Sequence, residues 1–216
     1  MNKQSLAEHL VMESLSDLEE ELQLPINEIP KVFYLPKTNF SDTGLHQSYK
    51  DLFETNKKLK QNCVFPYMKI IFLSDIEKHT VGEEAGHFLH ISLSNIYNYK
   101  RNTRDTIAAS IIIETIGYFC SKIIDPDRKL KAAKMFPDPV ISKNKDEIIK
   151  KVQKTFTEPI EFLRYQQAYF MGELMYIKYM RDEIPLRNIQ NVIKTPLAKP
   201  NEATSMYLNL KQRLYS

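Results

Sequence analysis

The sequence predicts an α+β protein that is predominantly helical, with a small β-sheet packed on a pair of central helices and a helical C-terminal region. Three observations carry this. Segments with helical periodicity alternate with two short apolar runs, at residues 31–35 and 70–73, that suit strands. The segment 103–124 is apolar around most of its circumference, the pattern of a helix buried on all sides. The prolines fall between the periodic segments or at their first turns, where a missing backbone N–H is tolerated.

In order, residues 2–24 place Leu6, Leu10, Leu15, Leu18 and Leu22 near one helical face, and Pro25 and Pro30 end that segment. Lys31 to Leu35 is a short strand closed by Pro36, and 38–44 is a loop. A second helix is expected over 45–61. After Pro66, the run Ile70, Ile71, Phe72, Leu73 is a buried strand. A third helix is expected over 79–97, although Gly82 and Gly86 each cost about 1 kcal/mol of propensity relative to alanine. Asn102 or Thr103 caps a fourth helix that runs to Ile124, with Asp105 favourable in its first turn, and Asp125-Pro126 stops it. Residues 125–145 read as a connector. Pro159 opens a long helix to Asp182, rich in aromatics such as Tyr165, Tyr169, Tyr176 and Tyr179. The remainder, broken by Pro185, Pro196 and Pro200, is a helical tail. The expected organisation is a core over 1–124 and a helical region over 125–216 that packs on it as one compact unit.

Composition narrows the function classes. A chain of 216 residues with 43% hydrophobic residues can bury a sizeable core. A net charge of +3 without a dense basic patch argues against nucleic acid as a partner. Uninterrupted apolar runs such as Ile111 to Ile113 are far shorter than the roughly 20 residues of a membrane span. The N-terminus lacks the basic start and apolar stretch of a signal peptide. The expectation is a cytoplasmic protein with no membrane contact. Cys63 and Cys120 have no metal-binding spacing and read as free thiols. The acidic start (Glu8, Glu13, Asp17, Glu19, Glu20, Glu21) and the basic tail (Arg187, Lys194, Lys199, Lys211, Arg213) can pair within one chain or between two. With the aromatic stripe of the C-terminal helices, this makes a homodimer an expectation.

Chemistry concentrates in Val81-Gly82-Glu83-Glu84-Ala85-Gly86-His87-Phe88-Leu89-His90. Residues four apart on a helix share a face, so Glu83 and His87 align, and His90 follows three later. Glu84 lies beside that face. Downstream, Glu114 interrupts the apolar helix 27 residues after His87, where an isolated carboxylate is costly unless paired or metal-bound. Tyr118 lies four residues further on the same face. Gly86, Gly117 and Gly172 each sit inside an expected helix. A reason to tolerate all three is that their helices cross closely near one point.

The run EEAGHFLH resembles the HEAGH-type helix of zincin metallopeptidases, with Glu83 in place of the first histidine. The resemblance covers about residues 65–124. It implies His87 as a metal ligand, Glu84 as the general base to the attacking water, and Glu114 as the later glutamate ligand of the gluzincin branch. It also implies Tyr118 as an aid in polarising a carbonyl. With Glu83 as a ligand the set is one imidazole and two carboxylates, and His90 is a reserve nitrogen donor. Zinc is the first metal expected, and iron or manganese suits two carboxylates as well. The function expected is a metal-dependent hydrolase of peptide-like substrates, with a peptide or protein as partner. Its rival is a non-catalytic protein that keeps the fold as a binding or assembly module. Glu84-x-x-His87 is also half of a ferritin-like di-iron motif, but no second copy follows, and Gln166, Gln167 and Glu173 are poor substitutes. The plainest alternative is a buried histidine bonded to a carboxylate with no metal.

Overall fold

The computed structural model describes residues 2–34, 63–65, 69–94, 101–129, 140 and 159–216. Six helices and one sheet make up these residues, and the α+β, mainly helical class holds. The expected loop at 38–44, the helix at 45–61 and most of the 125–145 connector lie outside the described residues.

Helix α1 spans Lys3–Leu22. Asn2 caps it by accepting from the Ser5 N–H at 2.8 Å, and Gln23 ends it in the left-handed region at φ 51°. Its buried stripe is Ala7, Val11, Leu15, Leu18 and Leu22, so the face is rotated from the leucine pattern. Leu6 and Leu10 sit at its flank, because Ala7 and Val11 let the helix approach its neighbours more closely.

The sheet has three strands, β1 (Lys31–Tyr34), β2 (Cys63–Phe65) and β3 (Ile70–Leu73), in the order β1-β3-β2. β3 is central, parallel to β1 with Lys31 beside Ile70, and antiparallel to β2 with Val64 beside Ile71. All four β3 residues are buried, as its unbroken apolar run predicts. β2 is a strand that sequence patterning missed: three residues give alternation nothing to act on. The turn into β3 uses Lys69 at φ 53°, held by an ion pair to Glu28 at 2.8 Å. The free edge of β1 is covered by Gln4, which donates to the Val32 carbonyl at 2.7 Å and accepts from the Tyr34 N–H at 2.8 Å.

The centre of the molecule is helical. α2 spans Lys78–Ser94, α3 Thr103–Ile124 and α4 Pro159–Met180. α3 packs chiefly against α2 and α4. By length and composition α3 could cross a membrane, but 78% of its most apolar window is buried inside the protein. Its hydrophobicity is satisfied by neighbouring helices. Asn102 caps it, accepting from the Asp105 N–H at 2.8 Å. The C-terminal tail forms α5 (Leu186–Lys194) and α6 (Glu202–Tyr215). Buried Asp105 anchors α6 to the start of α3 by accepting from the Thr204 N–H at 2.8 Å and its hydroxyl at 3.0 Å. α5 ties back to α1 through Gln190, which donates to the Leu22 carbonyl at 2.9 Å.

The three glycines mark the crossing of α2, α3 and α4. A Cβ on Gly86 would overlap that of Cys120, lying 2.9 Å from its Sγ and 3.4 Å from the Gly117 Cα. A Cβ on Gly117 would collide with the His87 ring at Cε1, 2.7 Å from each nitrogen. A Cβ on Gly172 would lie 2.9 Å from the Thr115 carbonyl and 3.0 Å from the Tyr118 Cβ. Ordinary Cβ contacts are wider than these, so each glycine permits a close helix approach that alanine would not.

Candidate metal centre

The crossing determines where the chemistry sits. α2 carries Glu83, Glu84, His87 and His90, and α3 carries Glu114 and Tyr118. Because the His87 imidazole lies against Gly117, its Nε2 approaches Glu114 Oε2 at 3.5 Å. Glu83, His87 and Glu114 each offer a ligand atom, and these atoms lie within 4.8 Å of one another. Among the described residues this is the one group of three or more metal-ligating side chains brought together. His90 is outside it. Its side chain is fully buried one turn further on, with neither ring nitrogen hydrogen-bonded.

Two further residues complete the cluster. Arg128, from the turn after α3, places Nη1 2.7 Å from Glu83 Oε2. Tyr169, from α4, hydrogen-bonds to Glu83 as well. The side chains of Glu83, His87, Glu114 and Arg128 are 10–16% exposed, dry enough to strengthen charge interactions yet open to a small ion. The Tyr118 hydroxyl donates to Glu173 Oε2 at 3.0 Å, and its ring lies under the Arg128 guanidinium at 4.3 Å. Glu173 also faces Lys122 at 3.7 Å.

Burial and charge set the protonation states. Burial pushes the Glu84 carboxyl up to about 8, helped by Glu83 and Glu114 and opposed by His87. For His87 burial favours the neutral ring, but Glu114, Glu84 and Glu83 together outweigh it and raise its pKa to about 9. Burial, then His87, holds His90 down at about 3, so it is neutral. Burial and Glu173 raise the Tyr118 hydroxyl, and burial and Glu83 raise that of Tyr169, so both remain protonated donors. Protonated His87 and Arg128 thus balance the Glu83 and Glu114 carboxylates. Two polar atoms here are left over: Glu84 Oε2 and His87 Nδ1 are buried without a hydrogen-bond partner. Such atoms are uncommon in folded proteins and leave room for a water, a ligand or an ion.

A pH dependence follows. Glu84 and His87 both hold protons in the folded state that the unfolded chain releases earlier, Glu84 between 4.5 and about 8 and His87 between 6.5 and about 9. Each contribution is present at the lower end of its window and lost as pH rises through it. His90 contributes oppositely, but only below 6.5. Metal-free protein should therefore melt several degrees lower at pH 8 than at pH 6.5. Added divalent metal should flatten or reverse that slope, since binding at His87 requires loss of its proton. Melting curves at both pH values, with chelator and with metal, check this; a slope unchanged by metal would count against a cation at His87.

Arg128 and Tyr169 were not singled out as site residues by sequence reasoning. Arg128 lies past the end of the helical pattern, in Asp125-Pro126-Asp127-Arg128, with no spacing to tie it to the motif. Tyr169 and Glu173 are four apart and flank Gly172, a signal that the three-glycine crossing makes readable.

The fold and site define a mainly helical α+β protein with a buried Glu–His–Glu cluster of metal-ligand type at a three-helix crossing. No known family profile matches the chain, and searches of curated proteins and of solved structures find no match either.

Proposed function

We propose that the protein is a metal-dependent hydrolase acting on peptide-like substrates. Glu83, His87 and Glu114 hold a divalent cation and Glu84 acts as general base. The convergence of three ligand atoms within 4.8 Å carries this reading. The unpartnered Glu84 Oε2 and His87 Nδ1 beside the cluster support it. So does the resemblance of the run EEAGHFLH to a zincin motif helix, with Glu114 on the helix that follows. Zinc remains the first expectation, and iron or manganese fits the carboxylate-rich donor set.

A bound cation would supply Lewis acidity and ease the ionisation of water. The protein's own groups do the rest. His87 would have to give up its proton to serve as a ligand. Burial holds Glu84 near 8 in the metal-free protein; a neighbouring cation would favour its carboxylate, which would take a proton from the attacking water and return it to the leaving amine. Tyr169, bonded to Glu83, orients that carboxylate. Tyr118, committed to Glu173, serves through its ring as the platform for Arg128.

A second reading has an observation of its own. The 2.7 Å Arg128–Glu83 pair and the protonated His87 already neutralise two carboxylates without a metal. In that reading the network is structural and the protein is a binding or assembly module, in which a homodimer would fit. Elemental analysis of untagged protein, with His87→Ala as control, separates the two. The hydrolase reading expects near-stoichiometric metal that the variant loses. A wild type empty even after reconstitution moves the reading to the module.

A further inference from the structure

The position of Arg128 has a consequence for the substrate. Its guanidinium lies 4.3 Å from the Tyr118 ring centroid and 5.5 Å from that of Tyr169. It donates to the Ser121 hydroxyl. Its carbonyl accepts from Lys122 Nζ at 2.8 Å, and the same ammonium donates to the Pro126 carbonyl at 2.7 Å, pinning the turn that carries it. Apart from Tyr169, which also bonds to Glu83, none of these partners touches Glu83. They hold the arginine in place whatever Glu83 does, on a largely dry wall of the site. Its counter-charge, however, is Glu83, one of the three candidate ligands.

A cation that takes Glu83 as a ligand also takes the carboxylate that balances Arg128. The guanidinium is then clamped, poorly hydrated and short of an anion, which is costly unless a new one arrives. Its planar fork suits a carboxylate, which it can bind through two parallel hydrogen bonds. We propose that Arg128 is a specificity residue that binds a carboxylate of the substrate once metal occupies the neighbouring cluster. The substrate class is a peptide with a carboxylate close to the scissile bond, at its C-terminus or on an acidic side chain. This rests on the metal-dependent reading above.

Calorimetry on zinc-loaded full-length protein tests it, in a Glu84→Gln background that keeps ligands intact. The probes are acetyl-dialanine with a free carboxylate, its amide, and an acetyl-alanyl-aspartate amide. One of the two carboxylates should bind about 10-fold or more tighter than the uncharged amide. Which one does so tells a terminal from a side-chain carboxylate. The gap should close in Arg128→Gln and narrow in Arg128→Lys, which keeps the charge but not the fork, with zinc content unchanged in both. It should be absent without zinc. A gap that survives Arg128→Gln, or that exists before zinc is added, overturns the inference and leaves the metal reading standing. Failure of the protein to take up zinc, iron or manganese overturns both, and the metal titrations show that before any peptide is added.

Discussion

Glu84→Gln should lower peptide hydrolysis by at least about 100-fold while leaving the bound metal in place. The substitution keeps size and shape but removes the ability to take up a proton. Glu84 is not among the three converging ligands, so metal stoichiometry should not change. Nor is a large loss of stability expected. A carboxyl raised to about 8 is already mostly neutral at pH 7, so an amide replaces an uncharged group of similar polarity. Above pH 8 the variant should be the more stable of the two, because it no longer buries a charge there. Three measurements, on rate, metal content and melting at high pH, therefore move differently. Full activity in the variant would remove Glu84 from the role of base. Lost activity with lost metal would mean instead that Glu84 helps to hold the cation. The module reading expects no hydrolysis and no bound metal in either protein, and only the high-pH melting to shift.

The candidate cluster was legible because its residues lie on two long helices, where spacing alone fixes relative direction. Glu83 and His87 are one turn apart, and Glu114 is a charge directly after Ile111-Ile112-Ile113 in an apolar helix. The glycines pointed to the crossing because an interior helical glycine calls for a packing reason. Spacing reaches no further than its own helix. It put Tyr118 on the Glu114 side of α3, but α4 determines what its hydroxyl meets, and that is Glu173. It offered His90 as a reserve ligand because three residues is near one turn, but the close contact of His87 with Gly117 turns the cluster toward Glu114 and leaves His90 outside. Arg128 comes from a turn whose path depends on tertiary contacts to Lys122 and Ser121. The face of α1 was misjudged for a related reason: leucine count favours Leu6 and Leu10, while close packing favours the smaller Ala7 and Val11.

Gly117→Ala tests fold and site together, because two opposed effects meet at one atom. Alanine is the better helix former by about 1 kcal/mol, so on propensity alone the variant should be more stable. The added methyl, however, would occupy the space of the His87 ring, 2.7 Å from each nitrogen. Overpacking of a filled interior typically costs about 1–3 kcal/mol, which exceeds the propensity gain. The ring is the part that can yield, since the helix backbones are fixed nearby by Gly86 against Cys120 and by Gly172 against Thr115. If it swings away, the 3.5 Å approach of Nε2 to Glu114 is lost and the three ligand atoms no longer converge. Gly117→Ala should therefore lower the melting temperature by a few degrees and weaken metal binding by at least about 10-fold, a larger effect on the site than on the fold. Gly86→Ala should do the reverse, since its methyl meets Cys120 and the Gly117 backbone rather than a ligand, and should cost more stability. Melting and metal titration on the two variants separate the cases. A Gly117→Ala protein that melts higher and binds metal as the wild type does would mean that the imidazole does not rest on α3, and the cluster would have to be abandoned.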